Sequence, residues 1–115
     1  MSDNTERFPG DNRLNKPSDF KKVFTTAQRY AAKKLLVLAR KNDMEYARLG
    51  LAISAKRIRT AVRRNKLKRI IRESFRRNKD RLKGLDIVVV AQKDTDKENS
   101  ARLSRVLSGL WDRLA

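Results

Sequence analysis

The sequence predicts a single-domain α/β (α+β) sandwich in the order α-β-β-(β)-α-β-α, with helices packed on a mixed sheet. Three observations lead there. The chain has 115 residues, enough for one modest core and too few for two. Segments with helical apolar spacing alternate with apolar runs too short for helices, and no internal repeat or heptad array interrupts them.

Residues 1–12 combine Pro9-Gly10 with mixed charge and little hydrophobicity, so a disordered arm is expected before a domain spanning 13–115. Ser18 stands where a helix N-cap should, after Pro17. Phe20, Val23, Phe24 and Ala27 then follow at the i, i+3, i+4, i+7 spacing of a buried helical face. Arg29 to Ala32 can add a short strand. Lys34 to Ala39 holds the unbroken run Leu35-Leu36-Val37-Leu38 of a strand covered on both faces. Beyond a polar turn at Lys41-Asn42-Asp43 the pattern alternates. Ala47, Leu49, Leu51 and Ile53 point to a core, while Tyr46, Arg48, Gly50, Ala52 and Ser54 make an open, shallow face.

The next helix runs from about Thr60, a plausible N-cap, to Asn78, with Leu67, Ile70, Ile71, Ser74 and Phe75 as its sheet-facing stripe. Lys83-Gly84 ends the helical region. Asp86 to Ala91, rich in β-branched residues, reads as a central strand, which gives a sheet of at least three strands. Asp94 to Asn99 is a polar loop. Leu103, Val106, Leu107, Leu110 and Leu114 form the face of a last amphipathic helix, with Trp111 near the edge of that stripe and, like Tyr30, a packing residue.

Thirty Lys and Arg against thirteen Asp and Glu leave a formal charge of +17. Such a surplus repels itself unless a polyanion neutralises it, which points to nucleic acid. Thirteen of the cations lie between Lys56 and Arg81 against only Glu73 and Asp80, so eleven of the seventeen net charges sit in that one segment. On the helix, Arg64, Lys68, Arg72 and Arg76 recur every fourth residue, flanked by Asn65 and Arg69, with no acidic row to compensate them. A ladder of this kind can follow a phosphate backbone, and the Asn65 amide can also meet a base edge or a 2′-hydroxyl.

Other chemistries find little support. With no cysteine and no histidine, thiolate and imidazole metal sites, a Cys nucleophile and a His general base are excluded. The close acidic pairs Asp43/Glu45 and Asp94/Asp96 fall in polar turns, so neither a catalytic residue nor a metal site on the protein is expected. No apolar run approaches the roughly 20 residues that span a bilayer. The opening Met1-Ser2-Asp3-Asn4 lacks the basic-then-apolar order of an export signal, and a cytoplasmic address is the expectation. A structural or ribosomal RNA-binding protein, a major-groove DNA reader and an RNA-processing subunit are all compatible with this charge pattern.

The stretch from Ala61 to Phe75, with Arg63-Arg64-Asn65-Lys66-Leu67-Lys68-Arg69-Ile70-Ile71-Arg72 at its centre, closely resembles the Arg-Asn-Arg-x-Lys-Arg-x-x-Arg signature of the bacterial ribonuclease P protein subunit. Further landmarks agree in order: Arg13-Leu14, Asp19-Phe20-x-x-Val23-Phe24, Gly50-Leu51 leading to Ser54-Ala55-Lys56, and Asp86 to Ala91. Two positions depart. Lys66 stands where that family usually has Arg, which keeps charge but loses the bidentate fork, and Ala55 takes a place often held by Lys. The resemblance implies a ribonucleoprotein in which a catalytic RNA and its Mg²⁺ ions hydrolyse a phosphodiester and so remove the 5′ leader of precursor tRNA. One protein per RNA is expected, and no cleavage by the protein alone. It further implies that Arg64, Asn65, Lys66, Lys68, Arg69 and Arg72, with Arg76 beyond them, face the catalytic RNA. A cleft near Arg13, Phe20, Phe24, Ser54 and Lys56 would hold the single-stranded leader. Phe20 and Phe24, at i and i+4, fit core packing and base stacking alike. The same resemblance implies a left-handed βαβ crossover, against the right-handed rule that holds in about 98% of cases.

Overall fold

A computed structural model describes residues 13, 14 and 16–115, and the arm expected over residues 1–12 lies outside them. The first helix, α1 (Pro17–Thr26), leads into a hairpin of β1 (Gln28–Ala32) and β2 (Leu35–Lys41), followed by β3 (Arg48–Ala52). Helix α2 (Ala61–Asn78) continues into a 3₁₀ turn (Lys79–Leu82), then β4 (Leu85–Ala91), a second 3₁₀ turn (Thr95–Lys97) and α3 (Ser100–Leu114). The predicted order of elements is the observed one, and the optional strand at Arg29 to Ala32 is real.

The four strands lie in the order β1-β2-β4-β3. β1 with β2 and β2 with β4 are antiparallel, whereas β3 and β4 pair in parallel and are joined through α2. β4 is central, as its run of branched apolar residues predicts. Alternation sorts the continuous apolar runs to two cores. Leu35, Val37 and Ala39 of β2 and Ile87, Val89 and Ala91 of β4 meet Leu67, Ile71 and Phe75 of α2 and Leu103, Leu107 and Leu110 of α3. Leu38 and Val88 face the opposite way, onto Val23 of α1 and Leu14, with Leu36, Val90 and Phe20 at the margin. The result is three layers: two helices, the sheet, then α1 alone.

Three expectations need correction. α1 starts two residues earlier than Ser18 implied. Lys16 is the N-cap and makes no side-chain capping bond, because Pro17 enters the first helical position with its φ already set and no N–H to satisfy. The face of β3 expected to be open is roofed in part: a Cβ on Gly50 would lie 2.7 Å from Phe20 Cζ, so the bare glycine is what lets α1 sit there. Trp111, expected near the stripe's edge, is wholly buried, packs edge-on against Phe75 (centroids 6.2 Å apart) and donates from Nε1 to Ser74 Oγ at 2.8 Å. A polar partner on a different helix is what lets the indole go fully inside.

One carbonyl on each border of the sheet is taken. Leu14 N–H donates to the Leu49 carbonyl of β3 at 2.8 Å, and Arg113 of α3 donates to the Ala31 carbonyl of β1 at 3.1 Å while lying over the Tyr30 ring.

Candidate nucleic-acid interface

Thr60 caps α2 as its position predicts: its side chain accepts from Arg63 N–H at 3.2 Å. Leu67, Ile71 and Phe75 are buried and Ile70 and Ser74 half-buried, so the predicted stripe is the one that docks. Docking that stripe fixes where every cation points.

Arg64, Lys68 and Arg72 descend the flank that faces α1 and the β3 edge. Arg64 Nη1 donates to the Ile58 carbonyl at 2.8 Å, tying the helix start to the preceding loop. Lys68 and Arg72 line a hollow of ≈ 290 Å³ together with Arg13, Phe20, Gly50 and Leu51, and among the described residues no acidic side chain lines it. Burial and then the nearby Arg13 charge lower the pKa of Arg72 from its ordinary value. It stays a cation, but one whose charge would gain from an anion in the hollow.

The rest of the predicted set divides. Arg69 lies five residues past Arg64, about 140° round the helix. It lines the groove toward α3 with Glu73, Arg77, Ser104 and Ser108, not the flank of Lys68 and Arg72. Lys66 borders a depression with Arg63, Asp96 and Glu98. Asn65 is exposed between the two flanks. Arg76, read from sequence as uncompensated, donates from Nη2 to Glu73 Oε1 at 2.6 Å, and that bond holds the Glu73 pKa below its usual value. A ladder of Arg64, Lys68 and Arg72 survives; its fourth rung is already paired.

On the outer face of the sheet, α1 presents Phe20 and Phe24 stacked on one another, with centroids 6.4 Å apart. They differ in role. Phe20 is half-buried over Gly50, whereas Phe24 is 45% exposed and so presents ring surface that the fold does not use. Phe24 borders a groove of ≈ 530 Å³ floored by Leu36, Leu38 and Val90 and edged by Arg29, Arg57 and Lys93, again with no acid from the described residues in its lining. Of the predicted leader residues, Phe24 lines this groove and Arg13 and Phe20 line the neighbouring hollow. Ser54 and Lys56 are exposed and line neither. Ser54 Oγ instead accepts from Arg57 N–H at 3.2 Å, closing a turn that delivers Arg57 to the groove.

What holds α1 in place was not read from sequence. Asp86, 4% exposed, receives two bonds from Arg48 (Nε at 2.8 Å, Nη2 at 2.6 Å) and one from Asn42 Nδ2 at 2.9 Å. Arg48 Nη1 also reaches Asp19 Oδ2 of α1 at 3.5 Å. These contacts raise the Arg48 pKa, the Asp86 hydrogen bond first, against the opposing effect of burial. An acid leading an apolar strand run was the available signal, since a carboxylate there must find partners.

Asp19, Asp86, Asp96, Glu73, Asp94 and Asp112 are each in an ion pair, and among the described residues no group of three acids gathers. Two cation-lined recesses, one beside an exposed aromatic face, flank the Phe20–Phe24 stack, an arrangement whose chemistry suits a flexible polyanion. Comparison with known proteins narrows this. The ribonuclease P family model matches residues 8–115. The ribonuclease P protein component of Chromohalobacter salexigens is 45% identical over 115 residues, covering 99% of this chain and 88% of that one. The RNase P protein of Thermotoga maritima superposes with a TM-score of 0.81 at 37% identity, covering 90% of this chain and 100% of that one. That of Staphylococcus aureus gives 0.82 at 28%, covering 89% and 94%. The chain belongs to the ribonuclease P protein family.

Proposed function

We propose that this chain is the RNA-binding protein subunit of a bacterial ribonuclease P, assisting a catalytic RNA in the hydrolytic removal of the 5′ leader from precursor tRNA. The observation that carries the reading is the pair of recesses either side of the Phe20–Phe24 stack, free of acids among the described residues, one reaching the cationic flank of α2 and the other crossing the sheet. In this reading the α2 flank of Arg64, Lys68 and Arg72 holds the backbone of the catalytic RNA. The Phe24 groove takes the unpaired leader, with its phosphates on Arg29, Arg57 and Lys93 and a base on the exposed ring.

The protein's contribution is to bind and orient. Gripping the leader beside the RNA-bound helix raises substrate affinity without a group of the protein touching the scissile bond. Mg²⁺ belongs to the RNA, where it would supply the metal chemistry of phosphodiester hydrolysis, and the protein's surplus of cations lets the assembly form with less of it. One protein per RNA, acting in the cytoplasm, completes the proposal. Among the described residues no helix is long and apolar enough to cross a membrane.

Reconstitution tests it. Added to a bacterial ribonuclease P RNA at low Mg²⁺, the folded protein should stimulate leader removal and show no turnover alone. A folded sample that binds RNA yet gives no stimulation would leave a structural RNA-binding protein as the better account, and competition by duplex DNA equal to that by the cognate RNA would favour a DNA-binding one.

A further inference from the structure

Gln92, the first residue after β4, lines the groove beside Phe24 and is mounted more firmly than a loop residue needs to be. Its N–H donates to the Lys34 carbonyl at 2.9 Å, and its own carbonyl accepts from Thr95 N–H at 3.2 Å. The buried Thr95 hydroxyl lies 2.6 Å from that carbonyl and 2.9 Å from the Lys34 carbonyl, so the backbone at residue 92 is pinned from both sides. The side-chain amide, by contrast, makes no hydrogen bond to any described residue and is exposed.

The chemistry of the lining makes this amide singular. Phe24, Leu36, Leu38 and Val90 are apolar, and Arg29, Arg57 and Lys93 only donate. Stacking and phosphate contacts tolerate any sequence, because every base has a π-face and every nucleotide a phosphate. The cations can match only acceptor edges such as guanine O6 and N7, whereas the Watson–Crick edge of every unpaired base both donates and accepts and is matched by a group with both functions. Among the described residues Gln92 is the one side chain lining the groove with both functions, and its backbone anchorage fixes the point from which the amide reaches.

We propose that Gln92 reads the identity of one unpaired leader nucleotide whose base lies against the Phe24 ring, making it a specificity-determining residue. This rests on the assignment of the Phe24 groove to the leader.

The test uses the reconstituted holoenzyme and precursor tRNAs in which each leader nucleotide is varied in turn over the four bases, with kcat/KM measured in competition. The native protein should show one leader position at which base identity changes kcat/KM by about fivefold or more, the size of one good amide-to-base contact. Gln92→Ala should flatten that position and leave the others as they were. Gln92→Glu, which only accepts, should move the preference there toward guanine, whose N1–H and N2–H both donate. Thermal melting of both variants should match the native protein, since the side chain is exposed. A base profile unchanged by Gln92→Ala, or a native protein indifferent to base at every position, overturns the inference while leaving the groove assignment standing. Phe24→Ala that leaves affinity for every leader unaltered overturns the groove assignment, and the role of Gln92 with it.

Discussion

Arg48→Met removes both bonds to Asp86 and the reach to Asp19 while keeping most of the side chain's apolar stem. Asp86 then remains 4% exposed with only Asn42 Nδ2, at 2.9 Å, as a polar partner. Breaking one side of a buried, bidentate ion pair costs about 3–5 kcal/mol when both groups are dry. Here the Arg48 side chain is 17% exposed, so solvent moderates the loss and about 2–4 kcal/mol is the working figure. For a domain of this size that is a fall in melting temperature of about 10 °C. Trp111, the only tryptophan and fully buried, provides the signal: its fluorescence in a urea titration reports the global transition. Pairing the change with Asp86→Leu removes the stranded carboxylate, and the double variant should recover at least half of the loss, a coupling of about 1 kcal/mol or more. A single variant within about 0.5 kcal/mol of native, or additive losses in the double, would refute the claim that this cluster clamps α1 to the sheet. Because Asp19 lies in the first turn of α1, the single variant should also weaken binding of leader-bearing substrate more than binding of the catalytic RNA.

The two phenylalanines should separate cleanly. Phe24→Ala, with its ring 45% exposed, should cost about 1 kcal/mol of stability but lower affinity for leader-bearing over mature tRNA. Phe20→Ala, packed over Gly50, should cost about 2–3 kcal/mol and be read only after its melting point is known. On α2, Lys68→Ala should reduce the slope of log affinity for the RNA against log salt by about 0.7 to 0.9, and Lys66→Ala, beside Asp96 and Glu98, should change it less. Equal slopes for the two variants would count against a division of the helix into two flanks.

Much of this architecture is written locally. The Thr60 cap, the Leu67-Ile71-Phe75 stripe and the two-sided burial of β2 and β4 follow from spacing alone, because each depends on neighbours within one element. The groove does not. Arg29, Arg57 and Lys93 come from β1, the loop before α2 and the end of β4, and only the strand order β1-β2-β4-β3 brings them to one place. The turn at Ser54 is likewise not encoded by spacing: Arg57, whose N–H donates to Ser54 Oγ, lines the groove, while Lys56 is exposed beside it. Arg48 and Asp86 meet because β3 and β4 pair in the register Arg48↔Asp86, a fact about two strands separated by all of α2. Ser74 and Trp111 are a similar case, joined only once two helices have packed. On α2 itself the periodicity was sound, but the arc drawn around it was too wide, and packing against α3 split one basic face into two.

The bonded carbonyls at the borders of the sheet matter most where charge is neutralised. A chain carrying +17 is kept apart from its copies by repulsion, and that protection fades as salt or bound RNA neutralises it. What remains then is not charge but partial cover of the strand edges: the Ala31 carbonyl on β1 is taken by Arg113, and the Leu49 carbonyl on β3 by the Leu14 amide. Each of these two hydrogen bonds at the rim removes a strand position at which another molecule could add itself once the charge is neutralised.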